Sequence, residues 1–176
     1  MANRHLSRSI VLQSLFEWDL NALEKKAVHD VLERNVTEFA PNKTDVPFMA
    51  KLLDGVMAKQ SELDLVIEKA APEWPIDRIS PVDRNILRLG LYELLFSDRK
   101  EVPAKVAINE AIELAKQFGG DNSSRFVNGV LGAVYKEIGE PGKEEISKRK
   151  KKDVPFDEMP IERLAGAVVY AEHEGQ

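Results

Sequence analysis

The chain has 176 residues, with 25 lysines and arginines against 30 aspartates and glutamates, a formal net charge of -5 and 43% hydrophobic residues; this is enough apolar content for the core of one ordinary domain with some appended chain. No apolar run approaches the ~20 residues of a membrane-spanning helix, and the absence of cysteine excludes disulfides, thiolate zinc sites and a cysteine nucleophile while permitting a reducing cytoplasm. The acidic balance argues against bulk attraction to nucleic acid, so any nucleic-acid site has to be a local basic patch.

Leu6, Ile10, Val11, Leu15 and Trp18 recur at helical spacing and predict a first helix from near Asn3 to near Asn21. Its first two turns carry Arg4, His5 and Arg8, where the helix macrodipole disfavours cations by ~0.3–1 kcal/mol per charge. Their spacing lets the three converge, and the free amides at the same end can bind phosphate. Two blander readings stand beside this one: solvated ends of a leading segment, or a transit peptide, since no acid precedes Glu17. A second helix is predicted from Val28 to about Phe39, closed by Ala40-Pro41. Asp45 reads as an N-cap with Val46 and Pro47 in the first turn of the next segment. That segment reads as two helices, or as one with a break near Ser61, and Pro72 and Pro75 close it.

Ser80-Pro81-Val82-Asp83 is a helix start, with serine at the N-cap, proline at the first helical position and a carboxylate at the third. Gly90 inside the helix costs ~1 kcal/mol relative to alanine, so close packing against another helix is expected there. Arg84 and Arg88 share a face, which reads as an exposed face serving solubility. Pro103 opens the next helix, whose stripe of Val106, Ile108, Ala111, Ile112, Ala115 and Phe118 is expected to be buried, and Gly119 is expected to supply a left-handed stop. The last core helix begins at Ser123 or Ser124 and runs to about Ile138, with Val127, Val130, Leu131, Val134 and Ile138 on its inner face and Arg125 and Phe126 in its first turn. An aromatic beside a cation suits single-stranded RNA, where bases stack on rings and cations hold phosphate; Phe126 capping the core is the equal alternative.

No enzyme signature emerges. His5, His29 and His173 are scattered, no metal-ligand spacing occurs, and no serine lies in a nucleophile elbow. Glu110 and Glu113 read as a solvated helical face. The periodic segments together predict an all-α single-domain bundle of about seven helices, with no catalytic residue, metal or cofactor.

Three linked motifs, WPIDRISPVDRNILRLGLYELL from Trp74, VPAKVAINEAIELAKQFG and SSRFVNGVL, carry a family resemblance. From about Arg4 to about Gly139 the chain resembles the NusB family of bacterial transcription antitermination proteins. Gln13, Leu15, Phe16 and Trp18 already belong to that pattern, which leaves no disposable leader. The resemblance implies a helical protein that pairs with a ribosomal small-subunit protein acting as NusE, binds single-stranded boxA RNA in nascent transcripts and helps polymerase in the cytoplasm read through terminators. Carried over by position, it implies RNA contacts at Arg4, His5, Arg8, Arg88, Arg125 and Phe126, and a partner surface at Phe16 and Asp83. His5 and Leu6 stand where further arginines are usual, which leaves more of the RNA affinity to the partner.

The family-like region is expected to end near residue 140. Lys143–Lys152 carries six cations and two acids, the pattern of a solvated linker, and Met159 to Glu172 regains an apolar helical pattern through Ile161, Leu164, Val168 and Val169. Two other readings remain. One is the helical RNA-recruiting domain of certain ribosomal RNA cytosine methyltransferases, which requires a downstream catalytic domain that this sequence does not contain. The other is a helical protein-only adaptor or homodimer, in which Phe16 and Trp18 serve the interface.

Overall fold

The computed structural model describes residues 3–42 and 45–143. The described residues form seven α-helices: α1 (Arg4–Leu20), α2 (Val28–Phe39), α3 (Val46–Ala58), α4 (Gln60–Ala70), α5 (Pro81–Phe96), α6 (Ala104–Phe118) and α7 (Ser123–Glu137). Short 3-10 turns lie at Lys25–Ala27 and Ile76–Arg78, and no strand occurs among the described residues. The charged segment from residue 144 onward and the Met159 to Glu172 stretch lie outside the described residues.

Local chemistry sets the helix boundaries. The Asn3, Asp45 and Ser80 side chains accept hydrogen bonds from the backbone amides of Leu6, Phe48 and Asp83, at 3.0, 3.1 and 3.2 Å; each pairs a donor left free at a helix start. Pro47 and Pro81 sit in the first turns of α3 and α5, where no intrahelical amide is needed. The α3–α4 break falls at Lys59, just ahead of the position expected at Ser61.

Helix α5 is the axis of the bundle. It packs against α1, α3, α4, α6 and α7, and every residue from Asn85 to Leu91 is buried. A helix surrounded on most sides cannot have one apolar stripe, so Ile86, Leu87, Leu89, Leu91 and Leu94 are spread around it, with Asn85, Arg88 and Glu93 buried among them. A Cβ on Gly90 would lie 2.9 Å from the Ala111 Cβ of α6 and 3.2 Å from Leu131 of α7, so the glycine lets three helices meet at one level. Helices α1 and α5 are antiparallel: Arg84 near the start of α5 pairs with Asp19 near the end of α1, and Glu93 pairs with Arg8 near its start.

Three expectations from the sequence are corrected. Val106 is 39% exposed, and Ala107 and Leu114 complete the buried stripe of α6 instead, because α6 turns its face to α5 and α7 rather than to the full apolar arc. Gly119 is extended, with φ -89° and ψ -179°, so it is not a left-handed stop. Its role is close approach: a Cβ there would lie 2.4 Å from the Ser123 side chain, whose Oγ accepts a hydrogen bond from the Gly120 amide at 2.9 Å. Ile138 is 39% exposed and lies just past the end of α7.

Candidate nucleic-acid and partner interface

The opening of α1 separates its three basic residues by role. Arg4 is exposed, its guanidinium 4.6 Å from the centre of the Phe48 ring, and it has no ion pair among the described residues. Arg8 is buried: Nε and Nη2 donate to the two carboxylate oxygens of Glu93 at 2.7 and 2.9 Å, with side chains 4% and 1% exposed. Burial pushes the Glu93 carboxyl up, against the pull of Arg8 in the other direction. The unfavourable dipole position of Arg8 is therefore offset by a two-pronged buried ion pair, a geometry that lysine cannot reproduce.

His5 lies between these two in exposure. Its Nδ1 is 2.7 Å from Glu110 and its Nε2 3.2 Å from Gln117, so it joins α1 to positions about two turns apart on α6. The hydrogen bond to Glu110 raises the imidazole pKa above 6.5, with burial opposing and Gln117 and the charges of Glu110 and Glu113 reinforcing. Arg8 Nη1, 3.9 Å from Glu110, is the nearby cation. Because the folded value is raised, the stabilisation is fully present below about pH 6.5 and is lost as pH rises through the higher folded value. We expect the difference in urea midpoint between the native protein and His5→Gln to be larger at pH 6 than at pH 8.5. An unchanged difference would show that the His5–Glu110 contact does not depend on the proton. Glu110, read from sequence as part of a solvated face, is instead the anchor for this contact, whereas Glu113 pairs locally with Lys116 at 3.4 Å as expected.

Arg88 and Arg84 do not form an exposed face. Arg88, 4% exposed, donates through Nε and Nη2 to both Asp64 oxygens at 2.7 and 3.0 Å, and through Nη1 to Asp19 and Asn85, each at 3.1 Å. Arg84 donates to Asp19 at 2.7 Å and to the carbonyls of Ile76 and Ile79 at 3.0 and 3.1 Å. Burial alone would push the Asp19 carboxyl up, but hydrogen bonds from Arg84 and Asn85 and the charges of Arg88 and Arg84 together hold it below its usual range. This network ties α1, α4 and α5 together and fixes the connection leading into α5.

The opening of α7 presents Arg125 exposed and Phe126 half-buried. Phe126 packs against the core and meets Trp74 edge to face, with ring centroids 6.2 Å apart. Phe126 therefore caps the edge of the core while remaining half-buried rather than enclosed. The α1 start meets the later half of α5 through Glu93, whereas Trp74 precedes the start of α5, so the two basic-aromatic clusters lie toward opposite ends of that helix.

Phe16 is half-buried and lines a groove of about 560 Å³ with Leu20, Phe39, Val82 and Phe118. Leu20 is 57% and Phe39 53% exposed, and the ion pair between Arg34 and Glu17 borders the groove. Asp83 follows Val82; its amide is capped by Ser80, while its Oδ1 is buried without a hydrogen-bond partner among the described residues. The family resemblance marked Phe16 and Asp83 but not Leu20 or Phe39.

Residues 5–136 match the model of the NusB family. The transcription antitermination protein NusB of Chloroflexus aggregans is 46% identical over 133 residues, covering 76% of this chain and 87% of that protein. Among solved structures, Thermotoga maritima NusB superposes with a TM-score of 0.67 at 34% identity, covering 84% of this chain and 99% of that one. A crystal structure of the antitermination factors NusB and NusE in complex with double-stranded RNA matches with a TM-score of 0.66 at 31% identity, over 76% of this chain and 96% of that one.

Proposed function

We propose that this chain, which belongs to the NusB family, is an RNA-binding transcription antitermination factor that works with a NusE-type ribosomal protein on boxA-like RNA in nascent transcripts. The observation that carries the reading is a family match over most of the fold, with a relative of the same fold crystallised together with NusE and RNA. The described surface is compatible with it. Arg4 and Arg125 are the exposed RNA-side cations, His5 is half-buried with both ring nitrogens engaged by Glu110 and Gln117, and Phe126 offers a half-buried ring, while Arg8 and Arg88 act from inside by fixing α1 and α5. The groove beside Phe16 is the partner surface, with Asp83 next in the chain to its lining residue Val82: apolar Leu20, Phe39 and Phe118 line it together with polar Glu17, Arg34 and Glu38, the mixture found in protein interfaces. The function is binding rather than catalysis, and the place of action is the cytoplasm, where transcripts are made.

The test is titration of a labelled boxA-like single strand, and of the same sequence as a duplex, with and without the NusE-type protein. Binding of the single strand, tightened by the partner, is expected. Arg4→Ala should reduce the slope of log affinity against log salt by ~0.7, the effect of losing one phosphate contact on a single strand. Failure to bind either RNA form, with the partner present, would leave a protein-only adaptor as the function.

A further inference from the structure

Trp74 is 54% exposed, and an isolated exposed aromatic would require no explanation. Its setting is what distinguishes it. The Trp74 amide donates to the Ala71 carbonyl at 3.0 Å, and Arg78 and Ile79 close the next turn onto Pro75 at 2.8 and 3.2 Å. Arg84, itself ion-paired to Asp19, clamps the carbonyls of Ile76 and Ile79. The connection between α4 and α5 is therefore rigid, and the indole stands on a fixed base. Phe126 supports one side of it, edge to face at 6.2 Å and 68°.

Two cations stand close to it in the chain or beside its ring partner: Arg78 four residues on, and Arg125 next to Phe126. Both, like Arg4 and Arg99, are exposed and have no ion pair among the described residues, whereas Arg8, Arg34, Arg84 and Arg88 are ion-paired within the fold. Glu73, Asp77 and Asp121 are also exposed in the same two connections, so this end of the molecule is not a strong phosphate attractor. An immobilised aromatic face with only modest positive charge suits unpaired bases, because stacking is available to every base and does not depend on net charge.

We infer that Trp74 is a base-stacking residue: the indole, supported by Phe126, receives an unpaired base of a single-stranded RNA, with Arg78 and Arg125 close to the flanking phosphates. This rests on the RNA-binding reading above and adds a residue and a mode of contact to it. The RNA would then be held in two different ways. Arg4 supplies charge near the start of α1, and Trp74 supplies stacking near the start of α5.

The test uses the full chain and a boxA-like single-stranded oligonucleotide. Trp18 is 8% exposed and Trp74 54%, so RNA-induced quenching of tryptophan emission reports mainly on Trp74. Trp74→Ala should weaken binding by about 5- to 150-fold with the salt slope and the melting temperature nearly unchanged. Trp74→Phe should retain most of the affinity while abolishing the quenching. If the native protein binds the oligonucleotide but shows no quenching, and Trp74→Ala binds equally well, the stacking role is wrong while the RNA function stands. If Trp74→Ala instead weakens association with the NusE-type protein in the absence of RNA and leaves RNA affinity intact, Trp74 belongs to a protein interface. If the native protein binds no RNA, the broader reading falls and this one with it. Should Trp74→Ala fold poorly, quenching of the native protein and the affinity of Trp74→Phe decide the matter.

Discussion

Glu93→Ala is expected to destabilise the protein by about 3–5 kcal/mol, the usual cost of stripping one partner from a buried ion pair. The reason is the position of Arg8, whose side chain is 4% exposed and whose Nε and Nη2 both donate to Glu93. Without that carboxylate the guanidinium keeps its charge and has almost no access to water. Glu110 is the nearest substitute, 3.9 Å from Nη1, and it is already engaged by His5. A loss of this size is a large part of the ~5–15 kcal/mol that holds a typical domain together. The paired replacement Arg8→Met with Glu93→Leu should be more stable than Glu93→Ala, since apolar groups of similar volume avoid the desolvation cost altogether. Urea unfolding with a check on the m-value measures both. An unchanged midpoint for Glu93→Ala would mean that Arg8 escapes to solvent and that the pair does not stabilise the core.

The same pair governs how RNA-binding variants are to be interpreted. Arg8→Ala leaves Glu93 buried without its partner, so weaker RNA binding by that variant would not identify a phosphate contact. Arg4 is the informative position, because it is exposed, lies over the Phe48 ring and has no ion pair among the described residues.

Local signals in the sequence carried much of the fold. Asp45-Val46-Pro47 and Ser80-Pro81-Val82-Asp83 contain their own cap acceptors and first-turn prolines, and the helices begin where those residues place them. Gly90 was legible for a similar reason, since a glycine within an apolar helical run has few explanations other than close packing. Spacing could not reveal which acids neutralise which arginines. Arg8 and Glu93 are 85 positions apart, and Arg88 reaches Asp64 and Asp19 across 24 and 69; sequence periodicity is blind to such pairings. One trace was present: Glu93 sits within the apolar run Leu91–Leu95, and a carboxylate in a buried stretch demands a cation. Trp74 was missed for a different reason. It lies in a connection, where helical periodicity gives no expectation, and only its contact with Phe126 and its exposure show what it offers.

Arg88→Lys should destabilise the protein by about 2 kcal/mol and Arg88→Ala by about 3 kcal/mol, both less than Glu93→Ala. The guanidinium spans four acceptors: two Asp64 oxygens, Asp19 and Asn85, at 2.7–3.1 Å. A lysine ammonium keeps the charge but not the planar fork, so it can serve one carboxylate well and leaves the others partly unmet. Alanine removes the charge as well, but the acids left behind have alternatives. Asp64 and Asp19 are 21% and 16% exposed at the side chain, and Asp19 retains Arg84. That residual solvation is why the loss should be smaller than for Glu93→Ala, which leaves Arg8 without its partner at 4% exposure. Arg88 also lies 5.9 Å from the centre of the buried Trp18 ring, so both variants should change the Trp18 emission, which can be isolated in a Trp74→Phe background. The expected order of urea midpoints, each measured in that background, is the unaltered network, then Arg88→Lys, Arg88→Ala and Glu93→Ala. If Arg88→Lys matches the unaltered network in both midpoint and emission, charge alone suffices there, and the four-way geometry does not hold α1, α4 and α5 together.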